Sequence, residues 1–406
     1  MSEADFPPHL NWFLLLVLVI LLLSALFTST YFVVANYTAS KSPAAEVLYT
    51  ICEFVLFATP LLIALLLFVS PRIKLSQLNA KRIDDSKIIE FVNSIRKEMG
   101  IRKNVDIYVA PEVGGHAIVF GFRKAFIVIS EELHRSFSIL PHLVRPIIVH
   151  ELSHIKNADV FTYEFAEAAW KSYALIALIS GAYLAVNADK VFSFSYPLTY
   201  EHVLGFWFDD ILLPSVLLYL LNRQISKYRE LYADVTASKI DKNLITALRM
   251  LCLPRKRRSL RLGKPMILER IESLEQPFRI FTPGYWHGFI LGTVSLYGFV
   301  FGLRLVPFTP LQSLEELESF LFAVSYAGIL VSVLGGLYVL RNQLVWFAKS
   351  YKKMFGVTRL TLKDYVLFLR MLLASSLGLV TGMFFAFFSG GLFIYTVEAF
   401  LKLILK

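Results

Sequence analysis

The chain has 406 residues, 56% of them hydrophobic and 18% charged, with a formal net charge of +10 and a mean hydropathy of +0.59. So much apolar side chain excludes an ordinary soluble globule, and the apolar spans assign the positive excess to an anionic membrane surface rather than to nucleic acid. Two cysteines, Cys52 and Cys252, exclude a disulfide framework and read as free thiols.

The first predicted element is Leu10–Ala35, apolar for more than the 20 or so residues a bilayer needs. Its acidic leader lacks the basic start of a secretory signal, so it reads as a retained span. A polar link, Asn36–Glu46, leads to a second span, Val47–Val69, ending at Ser70-Pro71. Residues 71–165 are polar and basic, with Arg72, Lys74, Lys81, Arg82, Lys87, Arg96, Lys97, Arg102 and Lys103 in quick succession. The positive-inside rule puts this segment in the cytoplasm. Asp84–Met99 reads as an amphipathic helix with Ile88, Val92, Ile95 and Met99 on one face and Gly100 as its stop. Asp106–Val109, His116–Phe120 and Ala125–Ile129 read as strands, the last two joined by a turn at Gly121–Lys124.

Residues 150–154 read His150-Glu151-Leu152-Ser153-His154. On a helix, positions i and i+4 stack on one face, so both imidazoles reach one metal ion. Glu151 lies beside them, where a carboxylate takes a proton from a metal-bound water. Zinc is the expected ion, since a catalytic zinc site uses three protein ligands and keeps one place for water. Pro146 either opens this helix or kinks it.

Trp170–Val186 is a third apolar span, and 203–221 a fourth that contains Asp209, Asp210 and Pro214. Acids at membrane depth are functional candidates; the alternative is that they mark the outer interface. The third metal ligand must come from elsewhere. Glu164 and Glu167 are expected on the continuation of the metal helix, where Glu164 would sit roughly 15 Å beyond His154. Arg229-Glu230-Leu231-Tyr232-Ala233-Asp234 offers Glu230 from a different helix. Asp234, one turn on, suits a carboxylate that orients a ligand imidazole. The alternative for Glu230 is an exposed helix carboxylate paired with Lys227 or Arg229. The third and fourth spans thus separate the two halves of the site. Glu230 follows the fourth span by about nine residues, roughly 13 Å of helix, which puts the metal close to the cytoplasmic face.

The stretch His150-Glu151-Leu152-Ser153-His154-Ile155-Lys156-Asn157-Ala158-Asp159, together with Arg229–Asp234, resembles the HtpX-type membrane zinc proteases, relatives of the CAAX prenyl proteases. The likeness covers roughly residues 1–275. It implies one zinc per chain on His150, His154 and Glu230, with Glu151 as general base, and Asp159 and Asp234 supporting the ligands. It implies a mainly α, polytopic membrane protein whose gluzincin-like cytoplasmic domain carries a small sheet or hairpin. It also implies an edge strand beside the zinc to which a substrate peptide adds. There the family's Asn-Ala-Phe-like stretch is His116-Ala117-Ile118, making His116 and Ala117 candidate substrate contacts, with a plain strand-surface histidine as the alternative. The run 264–274 resembles a family segment of the form His-Pro…Arg-Ile-x-x-Leu. Lys264 stands where the family has His, as a candidate for stabilising the oxyanion or a plain surface lysine.

Residues 222–283 are again basic, including Arg255-Lys256-Arg257-Arg258, as befits an inside loop facing anionic lipid. Beyond Gln276 the resemblance ends. Stretches 284–306, 320–340 and 365–388 read as further spans, and 392–406 as a short span or an interfacial helix. The expected organisation is two spans in 1–70, protease parts in 71–165 and 223–283 around a membrane hairpin at 166–222, and two to four spans in 284–406. The sequence therefore points to a membrane zinc endopeptidase cutting peptide or membrane-protein substrates at the cytoplasmic face, in quality control or processing. Its partners are that substrate and an anionic lipid membrane, with no nucleic acid and with room for an oligomer. The alternatives are a metal-binding membrane sensor or scaffold and a CAAX-type processing protease. A transporter would need paired intramembrane charges and a repeat that are not seen.

Overall fold

A computed structural model of the chain describes residues 43–111, 113, 117–192, 203–204, 207–251 and 267–275, with scattered positions within 18–22, 288–292 and 366–382. It is mainly helical with one small mixed sheet. In chain order the elements are α1 (Pro43–Gln77), β1 (Lys81–Arg82), α2 (Ser86–Glu98), β2 (Val105–Ala110), β3 (Ala117–Phe120), β4 (Ala125–Ser130), α3 (Glu131–Phe137), α4 (Pro141–Lys156), α5 (Asp159–Val186) and α6 (Ala188–Phe192). A π turn at Trp207–Leu212 then leads into α7 (Leu213–Ile240), α8 (Leu244–Leu251) and α9 (Ile267–Glu275).

The sheet has the order β1-β2-β4-β3, with β2 and β4 parallel and the other pairs antiparallel. Strand side chains alternate between faces, and β4 uses both. Ala125, Ile127 and Ile129 join Ile88, Val92 and Ile95 of α2 and Val149 and Leu152 of α4 in one core. Phe126 and Val128 pack on the other face with Leu75 and Leu78 from the end of α1. The latter contact explains why α1 does not stop at Ser70-Pro71: it continues through Pro60 and Pro71 to Gln77. Each proline forfeits one backbone donor, while Leu75 and Leu78, half-buried, pack the end of the helix on the sheet. Helix α2 starts where Asp85, not Asp84, accepts a hydrogen bond from the Lys87 N–H at 3.0 Å. Gly100, at a φ of 71°, follows its end. The β3–β4 turn needs glycine at 121. Its φ is 110°, and a Cβ there would press on the Lys124 carbonyl oxygen. Among the described residues β3 forms one edge of the sheet, and it packs against α4.

Pro141 opens α4 and Pro146 lies within it, five residues further on. The helix ends at Asn157, and Ala158 adopts a left-handed conformation with φ 59° before α5 begins. Glu164 and Glu167 are therefore not on a continuation of the metal helix, contrary to expectation. They sit on a separate helix and accept hydrogen bonds from Lys74 Nζ at 2.8 and 2.7 Å. Within the segment 203–221 the described chain is helical from Trp207 onward. The π turn carries Asp209 and Asp210 and passes directly into α7, which has Pro214 in its first turn.

Helices α5 and α7 pack along their length, with Ala166, Ala169 and Tyr173 against Leu217, Leu221, Tyr228 and Tyr232. Helix α1 closes on α5 through Val47, Ile51, Val55 and Ile176. Glu46–Gln77 in α1 and all of α5 are long and apolar enough to cross a membrane. The spans expected at 10–35, 284–306, 320–340 and 392–406 lie almost wholly outside the described residues. The one at 365–388 is described mainly over Leu373–Gly382, which is helical.

Left-handed backbone costs an alanine about 1–2 kcal/mol, partly offset in a glycine variant by its freer unfolded chain. Ala158→Gly is expected to stabilise the protein by about 0.5–1 kcal/mol, read as a higher thermal midpoint. A lowered midpoint would contradict the strained connection between α4 and α5.

Candidate metal centre

Helix α4 presents His150 and His154 one turn apart, and its Ile148, Val149 and Leu152 are fully buried in the core. The two imidazole centroids are 4.9 Å apart, with planes at 79°. Helix α7 brings Glu230 against them: Oε2 is 3.5 Å from His150 Nε2 and Oε1 is 3.8 Å from His154 Nε2. All three residues are buried, and their ligand atoms lie within 4.8 Å of one another. Ligand atoms around a tetrahedral zinc with bonds of about 2.0–2.2 Å lie roughly 3.3–3.6 Å apart, so the three could hold such an ion with small adjustments.

The far side of each ring meets a carboxylate. Asp234 Oδ1 is 2.9 Å from His150 Nδ1, which fixes the proton there and leaves Nε2 for a metal. Asp159, delivered by the left-handed turn at Ala158, has Oδ2 3.6 Å from His154 Nδ1. Arg270 of α9 grips Asp234 with both arms of its fork. Nε is 2.7 Å from Oδ2 and Nη2 is 2.6 Å from Oδ1. Its Nη2 also lies 3.3 and 3.2 Å from the two ring nitrogens of His150. Burial alone would raise the Asp234 pKa, but Arg270 and His150 outweigh it and hold the carboxyl below its usual range.

The charge balance of the pocket favours a metal. Glu151, Asp159, Glu230 and Asp234 are all at most 6% exposed. They face two guanidiniums, Arg229, itself 6% exposed, and Arg270, whose side chain is 16% exposed. With neutral imidazoles, this leaves a surplus of about two negative charges in a low-dielectric pocket, which is costly unless a cation offsets it. His150 responds to that surplus. Burial and Arg270 push its pKa down, yet Asp234 and Glu230 lift it to about 9. Two imidazoles, one carboxylate and a matching charge deficit suit a divalent ion.

The structure thus brings His150, His154 and Glu230 together and sets Asp234 and Asp159 against the two rings. Glu151 is buried on the same turn of α4 as His150. Glu230 is not an exposed helix carboxylate, although Arg229, one of its considered partners, does approach Oε1 to 3.6 Å inside the site. Ala117 is buried at the start of β3, while His116 and Lys264 lie outside the described residues. Arg270 went unassigned in the sequence. Its signal was the Arg-Ile-x-x-Leu run, in which Ile271 and Leu274 dock α9 on the core and so aim the arginine at Asp234.

Residues 85–277, which contain both halves of the site, match the family model of Peptidase family M48. The match supports this part of the chain as an M48-type metallopeptidase. No curated protein and no solved structure matches the chain.

Glu230→Ala is expected to leave the purified protein largely free of zinc by elemental analysis. Asp234→Asn, which keeps the shape but loses the charge on the His150 proton, is expected to weaken zinc 10–100-fold in a chelator competition. Wild-type zinc content and affinity in both variants would contradict the site.

Proposed function

We propose that the chain is an integral-membrane, zinc-dependent endopeptidase that cuts peptide or membrane-protein substrates at the cytoplasmic face. The observation that carries this reading is the buried His150–His154–Glu230 cluster with Glu151 on the same helical turn. Bound zinc supplies Lewis acidity, polarising the scissile carbonyl and acidifying water. The carboxylate of Glu151 takes a proton from the attacking water and hands it to the departing amine. Asp234, gripped by Arg270, holds the His150 ring in the tautomer that offers Nε2. The edge strand β3, packed on α4, offers main-chain groups to an extended peptide. A metal site that served structure alone would have no use for a carboxylate at position 151.

Several features support the membrane setting. Phe57, Leu61, Leu65 and Phe68 form an exposed stripe at helical spacing along α1, and Leu175, Leu178, Ile179 and Val186 lie exposed on α5. Such faces suit lipid better than water. Trp170 of α5 meets Tyr219 of α7 edge-on at 5.3 Å, with the Arg223 guanidinium 5.2 Å from the Tyr219 ring. Aromatic and basic side chains of this kind favour the interface between lipid and water. Helix α7 carries Glu230 roughly 13 Å beyond Leu221, where its apolar stretch ends, so the metal lies near that surface. The basic run from Arg72 to Lys103 favours the cytoplasmic side. The resemblance to HtpX-type proteases supports quality control or processing of membrane proteins as the task.

Glu151→Gln is expected to retain zinc at the wild-type ratio and to lose cleavage of an unfolded substrate such as casein by about 10²–10⁴-fold in kcat/KM. Chelation is expected to silence the wild type and added zinc to restore it. A Glu151→Gln protein cutting at the wild-type rate would overturn the mechanism.

A further inference from the structure

The Glu230 carboxylate is held by a guanidinium on each side. Oε2 faces Arg270 Nη1 at 4.0 Å, and Oε1 faces Arg229 Nη2 at 3.6 Å. Arg270 is anchored by Asp234. The anchor of Arg229 lies outside both zinc motifs, on α5. The Arg229 guanidinium carbon lies 4.6 Å from the ring centroid of Tyr163. The same ring has Lys74 Nζ of α1 at 5.6 Å. Lys74 is fixed in turn by Glu164 and Glu167, on the turns of α5 just beyond Tyr163. A guanidinium over an aromatic face in a desolvated pocket is attracted to it and loses its freedom to swing. A series of contacts therefore runs from the end of α1 through Tyr163 and Arg229 to a candidate metal ligand.

We propose that Tyr163 and Arg229 are positioning residues for Glu230: the ring seats the guanidinium, and the guanidinium fixes the Oε1 edge of the carboxylate so that Oε2 stays on the His150 side. The proposal rests on the metal-site reading above. Its consequence is that the apolar helices α1 and α5 help set the geometry of the third ligand. Coupling of this kind calls for the planar fork of arginine and an aromatic face. Charge at position 229 is not enough, because a lysine ammonium is a point charge on a flexible stem.

The test uses substitutions that leave the charge of the pocket unchanged. Full-length wild type, Tyr163→Leu, Tyr163→Phe and Arg229→Lys are compared for zinc affinity by chelator competition. Each is also loaded with cobalt(II), whose d–d spectrum reports ligand geometry and is not moved by a mere loss of stability. Tyr163→Leu and Arg229→Lys are expected to weaken zinc about tenfold, at the lower end of what outer partners of metal ligands contribute, and to change the cobalt spectrum. Tyr163→Phe keeps the ring and is expected to stay within twofold of wild type with the same spectrum. Wild-type affinity and spectrum in Arg229→Lys or Tyr163→Leu overturns the proposal while leaving the metal site intact. So does an equal loss in Tyr163→Phe and Tyr163→Leu. A wild type that takes up no zinc overturns the metal-site reading itself.

Discussion

The structure depends on bringing one carboxylate, Glu230, against two imidazoles on another helix. Left to electrostatics alone this would not happen. Glu151, Asp159, Glu230 and Asp234 would be gathered out of water with Arg229 and Arg270 as the facing cations, and such groups cost several kcal/mol each to desolvate. Packing imposes it. Val149 and Leu152 root α4 in the sheet core, and Leu231 and Tyr232, beside Glu230, root α7 against α5. The three side chains so gathered could hold a divalent ion, which would offset the pocket's negative charge. Binding energy for such an ion would become folding energy for the two halves it joins.

One of the helices at the site, α5, is also long and apolar enough to cross a membrane. Helix α5 starts with Asp159 beside His154 and runs without a break to Val186. Helix α7 runs from Leu213 past Glu230 to Ile240. Asp159 and Glu230 are thus each carried by a long continuous helix, and the left-handed residue Ala158 sets the angle between α4 and the first of them. In such an arrangement a tilt of either helix moves Asp159 or Glu230 directly. The buried ion pairs of Lys74 with Glu164 and Glu167 fasten a third long helix, α1, to the same place.

Much of the site was legible because its signals are local. His150 and His154 stand at i and i+4, a spacing that any helix turns into a common face, and Glu230 and Asp234 repeat that spacing on a second helix. The apolar run Ala125–Ile129 likewise marked a strand, which the structure extends to Ser130. Features set by the crossing of distant elements were not legible. Nothing marks Ala158 for a left-handed turn, since Asn157 next to it is the residue that would ordinarily take that conformation. The continuation of α1 through Pro71 depends on Leu75 and Leu78 finding the sheet. The grip of Arg270 on Asp234 spans 36 residues, and the seat of Arg229 on Tyr163 joins two helices that the chain separates. Such pairs have no periodicity to read.

The central claim is that two segments far apart in the chain close around one divalent ion. X-ray absorption at the zinc edge of purified full-length protein, with elemental analysis of the same sample, tests it most directly. The account predicts one zinc per chain with two imidazole nitrogens and at least one carboxylate oxygen at about 2.0–2.2 Å. Metal-free active protein, or a zinc whose nearest shell contains sulfur or no imidazole, would contradict it.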